Sequence, residues 1–330
     1  MSSTKPEAGA KAPFNWGKWL NLIGPVAGLV FVYALFAAIG PSGFSSSRNM
    51  ETIARQTAIT GTAALGMTLV IIMAGIDLSV GSIIALSTIV IATMLKLQVD
   101  PLLAGLAGIA AGALCGLLNG MLVTRLKVVP FIVTLGTLLV VRGAAKGLAR
   151  EQKMDAPISW LNELLAALKP GQRWLILPAG VWIMVVLALV VWLLLRYTRL
   201  GRHIYAIGSN ESTARLCGIA VERVKVIVYM LCAAFAGLAG VLQFSRLTIG
   251  DPTVALGQEL DVIAAVVIGG GSFNGGEGSV LGTIVGALIM TVIRSGCSQM
   301  GLPNWVQEIV TGSIIVAAVA LDMLRRRKIS

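Results

Sequence analysis

The chain has 330 residues, of which 56% are hydrophobic and only 12% are charged, and its mean hydropathy is +0.87. Soluble domains carry about 25% charged residues, so this composition excludes a soluble globular protein and indicates an integral membrane protein. The formal net charge of +11 would suggest nucleic-acid binding in a soluble chain, but here the basic residues collect beside apolar runs, and no nucleic-acid partner is expected.

Long apolar runs predict an all-α integral membrane protein, a polytopic bundle of about ten transmembrane helices. Each run has about 17 to 25 residues, enough to cross about 30 Å of lipid bilayer at about 1.5 Å per residue. The predicted helices cover residues 20–39, 52–73, 80–97, 102–124, 130–148, 175–195, 225–245, 259–270, 278–297 and 305–323. The eighth is short and bounded by glycine, which favours a broken or re-entrant helix. Residues 160–168 have the pattern of an amphipathic surface helix.

The distribution of lysine and arginine predicts the orientation, because basic residues in short loops stay on the cytoplasmic side. Fifteen of the 26 basic residues lie on one face of the predicted topology: in the N-terminal segment, the 125–129 turn, the loop from 196 to 225 and the tail. Both termini and that loop are therefore expected to be cytoplasmic. We expect a disordered N-terminus over 1–19, one transmembrane domain over 20–323 with a cytoplasmic loop over 197–224, and a basic tail over 324–330.

Residues 207–219 form the longest polar island between apolar runs. The side chain of Asn210 can cap a helix, Glu211 suits the positive N-terminal end of a helix dipole, and Gly218 suits a left-handed stop. The island therefore predicts a short capped helix at the membrane surface, presented to another protein. The alternative is a solvated loop helix with no partner.

The sequence excludes several kinds of active site. The single histidine, His203, lies in an arginine-rich loop, so an intramembrane Ser-His or HExxH centre is excluded. No Gly-x-x-x-x-Gly-Lys-Ser/Thr motif occurs, so the chain has no Walker loop for ATP. We expect no catalytic residue, no cofactor and no metal. The cysteines show no paired spacing and are interpreted as packing residues: Cys115, Cys217, Cys232 and Cys297.

Two glycine-flanked polar segments, 75–82 and 269–278, interrupt the apolar sequence. Irregular backbone at membrane depth is tolerated only where protein buries it or where it lines water, so both segments are candidates for a substrate path. Aligning them at an offset of 197 residues places Asp77 opposite Asn274 and hints at an internal repeat. The alternative for Asp77 is a helix N-cap. The candidate path residues are Asp77, Ser79, Asn119, Thr134, Thr137 and Asn274.

Charged residues beside apolar sequence either extend their side chains to the membrane surface or mark a functional site. Four of them lie near predicted helix ends, which favours the first role: Arg142, Asp261, Arg294 and Glu308. None is assigned to a substrate site from the sequence.

Three ordered blocks between residues 66 and 278 resemble the signature of the ribose-type permeases of bacterial sugar ABC importers. The first contains GMTLVI (66–71) and GIDLSVGS (75–82). The second contains TRLGR (198–202), YAIGSNE (205–211) and ARLCGI (214–219). The third contains ELDVIAAVVIGG (259–270) and GGEG (275–278).

The resemblance implies a multi-pass permease of the bacterial inner membrane that imports a monosaccharide, a ribose-like pentose or a related sugar, by alternating access. The implied partners are a second copy of the permease, ABC ATPase subunits in the cytoplasm and a periplasmic sugar-binding protein. The polar island then corresponds to the helix that docks on the ATPase. Its implied coupling residues are Asn210, Glu211, Ala214, Arg215 and Gly218. Glu277 and the pair Phe273-Asn274 depart from the family pattern and leave the sugar open.

Other functions remain open at this point. The nearest is a permease of the same superfamily for branched-chain amino acids or nucleosides. A stand-alone secondary carrier would need an ion or proton site in the membrane, for which Asp77 is the one candidate. A membrane enzyme is disfavoured because membrane histidines and paired carboxylates are absent.

Overall fold

The computed structural model describes residues 16–168 and 170–327, and this part of the chain is almost entirely α-helical. Twelve α-helices lie within it, with two very short strands and two 3₁₀ helices. The α-helices are α1 (Trp16–Ile39), α2 (Ser47–Ile72), α3 (Val80–Lys96), α4 (Pro101–Leu126), α5 (Pro130–Leu148), α6 (Ala179–Tyr197), α7 (Arg199–Ser209), α8 (Glu211–Leu216), α9 (Val221–Leu247), α10 (Gln258–Ile268), α11 (Val280–Gln299) and α12 (Asn304–Arg327). The strands are β1 (Met154–Asp155) and β2 (Ile249–Gly250), and the 3₁₀ helices cover Trp160–Glu163 and Pro170–Leu175.

Five of the described helices are long and apolar enough to cross a membrane: α4, α5, α6, α9 and α11. Shorter apolar helical stretches cover residues 24–39 of α1 and 80–96 of α3. Helix α2 has 26 residues, but every residue from 57 to 72 is buried by protein. A helix surrounded by protein needs no apolar surface for lipid, so α2 can carry the hydroxyl groups that lower its hydropathy.

The core is built around α2 and α9. Helix α2 packs against α6, α9, α10 and α11, while α9 also packs against α3 and α4. A buried hydroxyl pair, Thr68 and Thr283, joins α2 to α11 with an Oγ1–Oγ1 distance of 2.8 Å. Because both hydroxyls lie between helices, their hydrogen-bonding groups are satisfied without water.

The connecting segments gather at two ends of the bundle. At the end that we call the α8 end, the Gly276 N–H donates to the Ile72 carbonyl at 2.8 Å, and the Tyr205 hydroxyl donates to the Gly278 carbonyl at 3.3 Å. At the opposite end, called the β end, β1 and β2 pair antiparallel with Met154 opposite Gly250. The polar island is thus held against the second glycine segment, far from the paired strands.

Helix α10 is short, as predicted. Its 11 residues span about 16 Å, roughly half the hydrocarbon thickness. The segment before it runs along α3, because the Asp251 N–H donates to Thr88 at 3.2 Å and a Cβ on Gly81 would collide with the Ala255 carbonyl. Irregular backbone therefore packs against the side of α3, with Asp251 and Pro252 buried and Thr253 and Leu256 exposed.

Three predicted segments differ from the structure. Residues 16–19, predicted as disordered, belong to α1, and α12 continues through Arg327 where a tail was predicted from 324; residues 1–15 and 328–330 lie outside the described residues. The predicted helix over 160–168 is a single 3₁₀ turn, closed by a capping box between Ser159 and Asn162. The helix does not continue because the Leu165 N–H donates to Ser245 Oγ at 2.8 Å and makes no hydrogen bond to a carbonyl in the preceding turn.

Candidate functional site

The polar island folds as two helices, α7 and α8, where one short helix was predicted. Asn210 separates them: its side chain accepts a 2.9 Å hydrogen bond from the Thr213 N–H and caps α8. Gly218, with φ of +82°, closes α8, and the N–H groups of Gly218 and Ile219 return to the Arg215 and Ala214 carbonyls. The predicted cap and left-handed stop are confirmed. The first helix, α7, was missed because its polar N-terminal turn was assigned to the loop.

Ion pairs tie α8 to the beginning of α9. Arg215 contacts Glu222 at 2.5 Å and Glu211 at 3.4 Å, and Lys225 contacts Glu211 at 2.7 Å. The hydrogen bond from Arg215 to Glu222, with its negative charge, raises the pKa of the Arg215 guanidinium above its ordinary value. Ala214 is buried against the core, so the exposed surface of α8 consists of Ser212, Thr213, its charged side chains and Leu216, which is 88% exposed. Displacement of α8 would therefore be passed to α9.

The polar island makes a close backbone contact with the end of α2 and with the second glycine segment. A Cβ on Gly208 would collide with the Ile72 carbonyl at the end of α2 and with the Gly276 nitrogen. Only glycine fits here, so the end of α7 packs directly on α2 and on the second glycine segment. Motion of the island is coupled to both.

The structure brings four of the six predicted path residues together in a sealed cluster. Asp77 Oδ1 accepts from the Ser79 N–H at 2.9 Å and from Ser79 Oγ at 2.6 Å, and Asn119 Nδ2 donates to Ser79 Oγ at 2.9 Å. Thr134 Oγ1 donates to the Ile76 carbonyl at 3.3 Å. Asp77 is fully buried, and its carboxylate accepts the Ser79 N–H beside the first turn of α3, while the Ser79 side chain caps no amide of that helix, so the capping alternative for Asp77 is supported.

The other two path candidates lie elsewhere. Thr137 donates to the Thr134 carbonyl within α5, at 3.2 Å. Asn274 is exposed at the α8 end, near the island, and is not opposite the buried Asp77. Gly275 packs against Ala74, the residue just before the segment 75–82, but the polar side chains of the two segments have different surroundings.

A polar cavity opens at the β end. It has a volume of about 520 Å³ and lies between α2, α9, α10 and α11. Amide, hydroxyl and guanidinium groups line its walls, among them Thr52, Gln56, Thr60, Gln243, Arg246 and Gln258. The sequence analysis missed this cavity. The signal was present in α2, where Thr52, Gln56 and Thr60 recur at four-residue spacing on one face of a helix.

Two of the charged residues assigned to the membrane surface have other roles. Arg142 is buried, and its Nη1 donates to the Pro252 carbonyl at 3.0 Å and to the Val254 carbonyl at 2.7 Å. Arg294 pairs with the buried Asp261 at 2.5 Å across the wall of the cavity. Arg142 is thus held inside the bundle, whereas Arg294 pairs with Asp261 while its own side chain stays 45% exposed.

The described residues contain no group of three or more His, Cys, Asp or Glu side chains that could hold a metal ion. The cysteines in this part of the chain are all unpaired; Cys232 and Cys297 are buried and Cys217 is exposed. The site thus consists of polar and charged groups that bind and position, with hydrogen bonding as its chemistry.

Helices long and apolar enough to cross a membrane, packed around a polar cavity, are typical of membrane transport proteins. The chain belongs to the family described as "Branched-chain amino acid transport system / permease component", whose profile matches residues 49–319. The resemblance to permeases that the three sequence blocks indicated is thereby confirmed.

Several sugar import permeases are similar to the chain along nearly their whole length. The ribose import permease protein RbsC of Escherichia coli strain K12 is 39% identical over 304 residues, which cover 92% of this chain and 94% of that protein. RbsC of Bacillus subtilis strain 168 is 40% identical over 304 residues, covering 92% and 93%. The D-allose transport system permease protein AlsC of E. coli K12 is 36% identical over 321 residues, 97% of each chain. No solved structure matches the chain.

Proposed function

We propose that the chain is the permease subunit of an ATP-driven importer that moves a monosaccharide, a ribose-like pentose or a related sugar, into the cytoplasm across the bacterial inner membrane. The observation that carries this proposal is the 39% identity to a ribose import permease over 92% of the chain. The polar cavity and the capped α8 at opposite ends of the bundle give the two regions that such a subunit needs.

The proposed partners follow from the missing ATP-binding motif and from the exposed helix α8. Since its sequence has no Walker loop, ATP hydrolysis belongs to separate ATPase subunits. We assign these to the α8 end, at the cytoplasmic surface, with Asn210, Glu211, Ala214, Arg215 and Gly218 building the coupling helix. A periplasmic sugar-binding protein and a second permease copy complete the importer.

The mechanism that we propose is alternating access driven by the ATPase. Closure of the ATPase would push α8, whose ion pairs with Glu222 and Lys225 carry the movement to α9. The contact of Gly208 with Ile72 carries it to α2. Because α2 and α9 are also walls of the polar cavity, movement at the α8 end can change access at the β end through two rigid helices.

A second candidate function is transport of branched-chain amino acids, because the family description names that substrate. Such a substrate would favour an apolar pocket for its side chain. The cavity here is lined by amides and hydroxyls, which favours a sugar. A stand-alone carrier has less support, since Asp77, the ion ligand that the sequence suggested, is buried away from the cavity, and Asp261 in the cavity wall is paired with Arg294.

The test is purification of the chain in mild detergent, identification of co-purified proteins by mass spectrometry, and reconstitution of the complex in proteoliposomes. Recovery of an ATPase with a Walker motif and ATP-dependent uptake of D-ribose, D-allose or D-fructose are expected. Uptake driven by a proton gradient without ATP would contradict the proposal and support a secondary carrier.

A further inference from the structure

The cavity at the β end offers hydrogen-bonding groups that the protein does not use. The amides of Gln56 and Gln243 make no hydrogen bond to any residue within 16–168 and 170–327, although the Gln243 side chain is 95% buried, at 5% exposure. Buried amides in proteins nearly always have a partner. These two amides are therefore available to water or to a ligand that enters the cavity.

The polar groups extend along the cavity in an ordered way. Thr52, Gln56 and Thr60 follow one face of α2, and Gln258 Nε2 donates to Thr60 Oγ1 at 3.3 Å at the inner end. Thr60 lies 13 residues into α2, about 20 Å from its start, so the polar wall covers about half the length of this 26-residue helix. Beyond Thr60, α2 is buried through Ile72.

The mouth and size of the cavity suit a small solute arriving from the β end. Arg48, Ser298 and Gln299 are exposed at its opening. Its volume of about 520 Å³ falls within the roughly 300–1,000 Å³ typical of small-molecule sites. The cavity is thus open at one end and closed towards the other.

The chemistry of the walls points to a polyhydroxylated ligand. An amide both donates and accepts hydrogen bonds, as a sugar hydroxyl does, so three glutamines can each bind a hydroxyl group in either sense. The Asp261 carboxylate is already paired with Arg294. Arg246 has no acidic partner in the described chain, and its planar guanidinium can donate to two neighbouring hydroxyls.

We infer that this cavity is the binding site at which the permease itself first holds the sugar, with Gln56, Gln243 and Gln258 as specificity-determining residues. The inference rests on the proposed function and assigns the sugar to a site distinct from the Asp77 cluster. It makes the permease a participant in substrate selection, with hydrogen bonds of its own to the sugar.

Transport by the complete importer tests the role of the amides. In proteoliposomes with the ATPase and a sugar-loaded binding protein, Gln56→Leu and Gln243→Leu are each expected to reduce the rate of labelled D-ribose uptake about 2- to 10-fold, the effect of one lost hydrogen bond. Gln152→Leu, an exposed position outside the cavity, is the matched control and should transport like the wild type. Wild-type rates in both cavity variants would overturn the inference.

Cysteine accessibility tests the site without transport. In a chain whose four native cysteines are changed to serine, Thr60→Cys should react with a membrane-impermeant methanethiosulfonate added from the β end, and D-ribose, D-allose or D-fructose should slow the reaction at least about threefold. Thr62→Cys, on the same helix but fully buried, is the control and should stay unreactive.

The two experiments separate the possible failures. If the wild-type importer moves none of the three sugars, the proposed function fails. If the importer transports sugar but Thr60→Cys is unreactive, or is not protected by the sugar that is transported, the inference fails and the sugar follows another path.

Discussion

Arg142 shows how a single side chain can make irregular backbone possible inside a membrane bundle. Its guanidinium reaches from α5 to two carbonyls of the segment before α10, those of Pro252 and Val254. Without it, both carbonyls would lie at the edge of α3 with no donor. An arginine is suited to this task because it presents several donors in one plane and stays charged.

Replacing Arg142 by leucine is expected to destabilise the protein by at least about 2 kcal/mol, because two buried carbonyls lose their donor at about 1–3 kcal/mol each. Arg142→Lys should be intermediate, since one ammonium can satisfy only part of the pair. Thermal unfolding in detergent measures both effects. Lys146→Leu, exposed one turn further along α5, is the control and should leave the melting temperature nearly unchanged. Equal stability of Arg142→Leu and the wild type would refute the role.

At the scale of elements, α4 and α9 pack closely against each other over much of their length. Gly112, Gly116 and Gly120 recur at four-residue spacing on the face of α4 that meets α9. A Cβ on Gly116 would collide with the Tyr229 carbonyl and the Ala233 side chain. Small residues in membrane helices allow this approach, and dispersion contacts between the backbones then stabilise the pair.

Gly116→Ala is therefore expected to cost about 1–3 kcal/mol through overpacking against backbone that cannot yield. Gly136→Ala on α5 is the matched control, because a Cβ there meets open space; it should be neutral or stabilising by up to about 1 kcal/mol. Denaturant titration of the purified protein compares the two. The same sign of change for both variants would contradict the packing argument.

Helix α8 lies at the surface of the protein. Its charged side chains are exposed, and exposed ion pairs contribute little to stability. Glu211→Ala combined with Arg215→Ala should therefore leave insertion and folding intact but reduce recovery of the ATPase and uptake of sugar. Co-purification and transport assays measure the loss. Arg150→Ala with Asp155→Ala, exposed at the β end, is the control pair. Normal ATPase recovery in the α8 double variant would remove this helix from the coupling mechanism.

How far the sequence predicts an element depends on where its signal lies. The starts of α4 and α5 are predicted within one residue because Pro101 and Pro130 each mark a first helical turn. The residues that cap and end α8, Asn210 and Gly218, are likewise predicted from the neighbouring sequence alone. Ser79 and Asp77 are neighbours in sequence, but their contact with Asn119 comes from the packing of α4. The β-end cavity is formed by four helices, so the sequence reveals only the row of polar side chains on α2. Arg142 donates to the carbonyl of Pro252, which is 110 residues away in the chain, so its burial could not be predicted from nearby residues.

At the scale of the whole molecule, the separation of the two ends permits a test of orientation with a native residue. Cys217 is exposed beside α8, whereas Cys232 and Cys297 are buried. With the α8 end in the cytoplasm, a membrane-impermeant maleimide should label Cys217 in inverted vesicles and not in intact spheroplasts. Gln152→Cys in a Cys217→Ser background should give the opposite pattern. Labelling of Cys217 from outside would reverse the proposed orientation.

The hydroxyl pair between Thr68 and Thr283 can form only late in the synthesis of the chain. The two residues are 215 positions apart, and ribosomes add about 5–20 residues per second, so α2 spends roughly 10 to 45 seconds in the membrane before its α11 partner is synthesised. During that interval the face of α2 that carries Thr68 lacks its α11 partner, although α6, α9 and α10 are synthesised before α11 and cover other faces of α2. A chain truncated before α11 would leave this face open to lipid, and we expect membrane proteases to degrade such a chain faster than the full-length one.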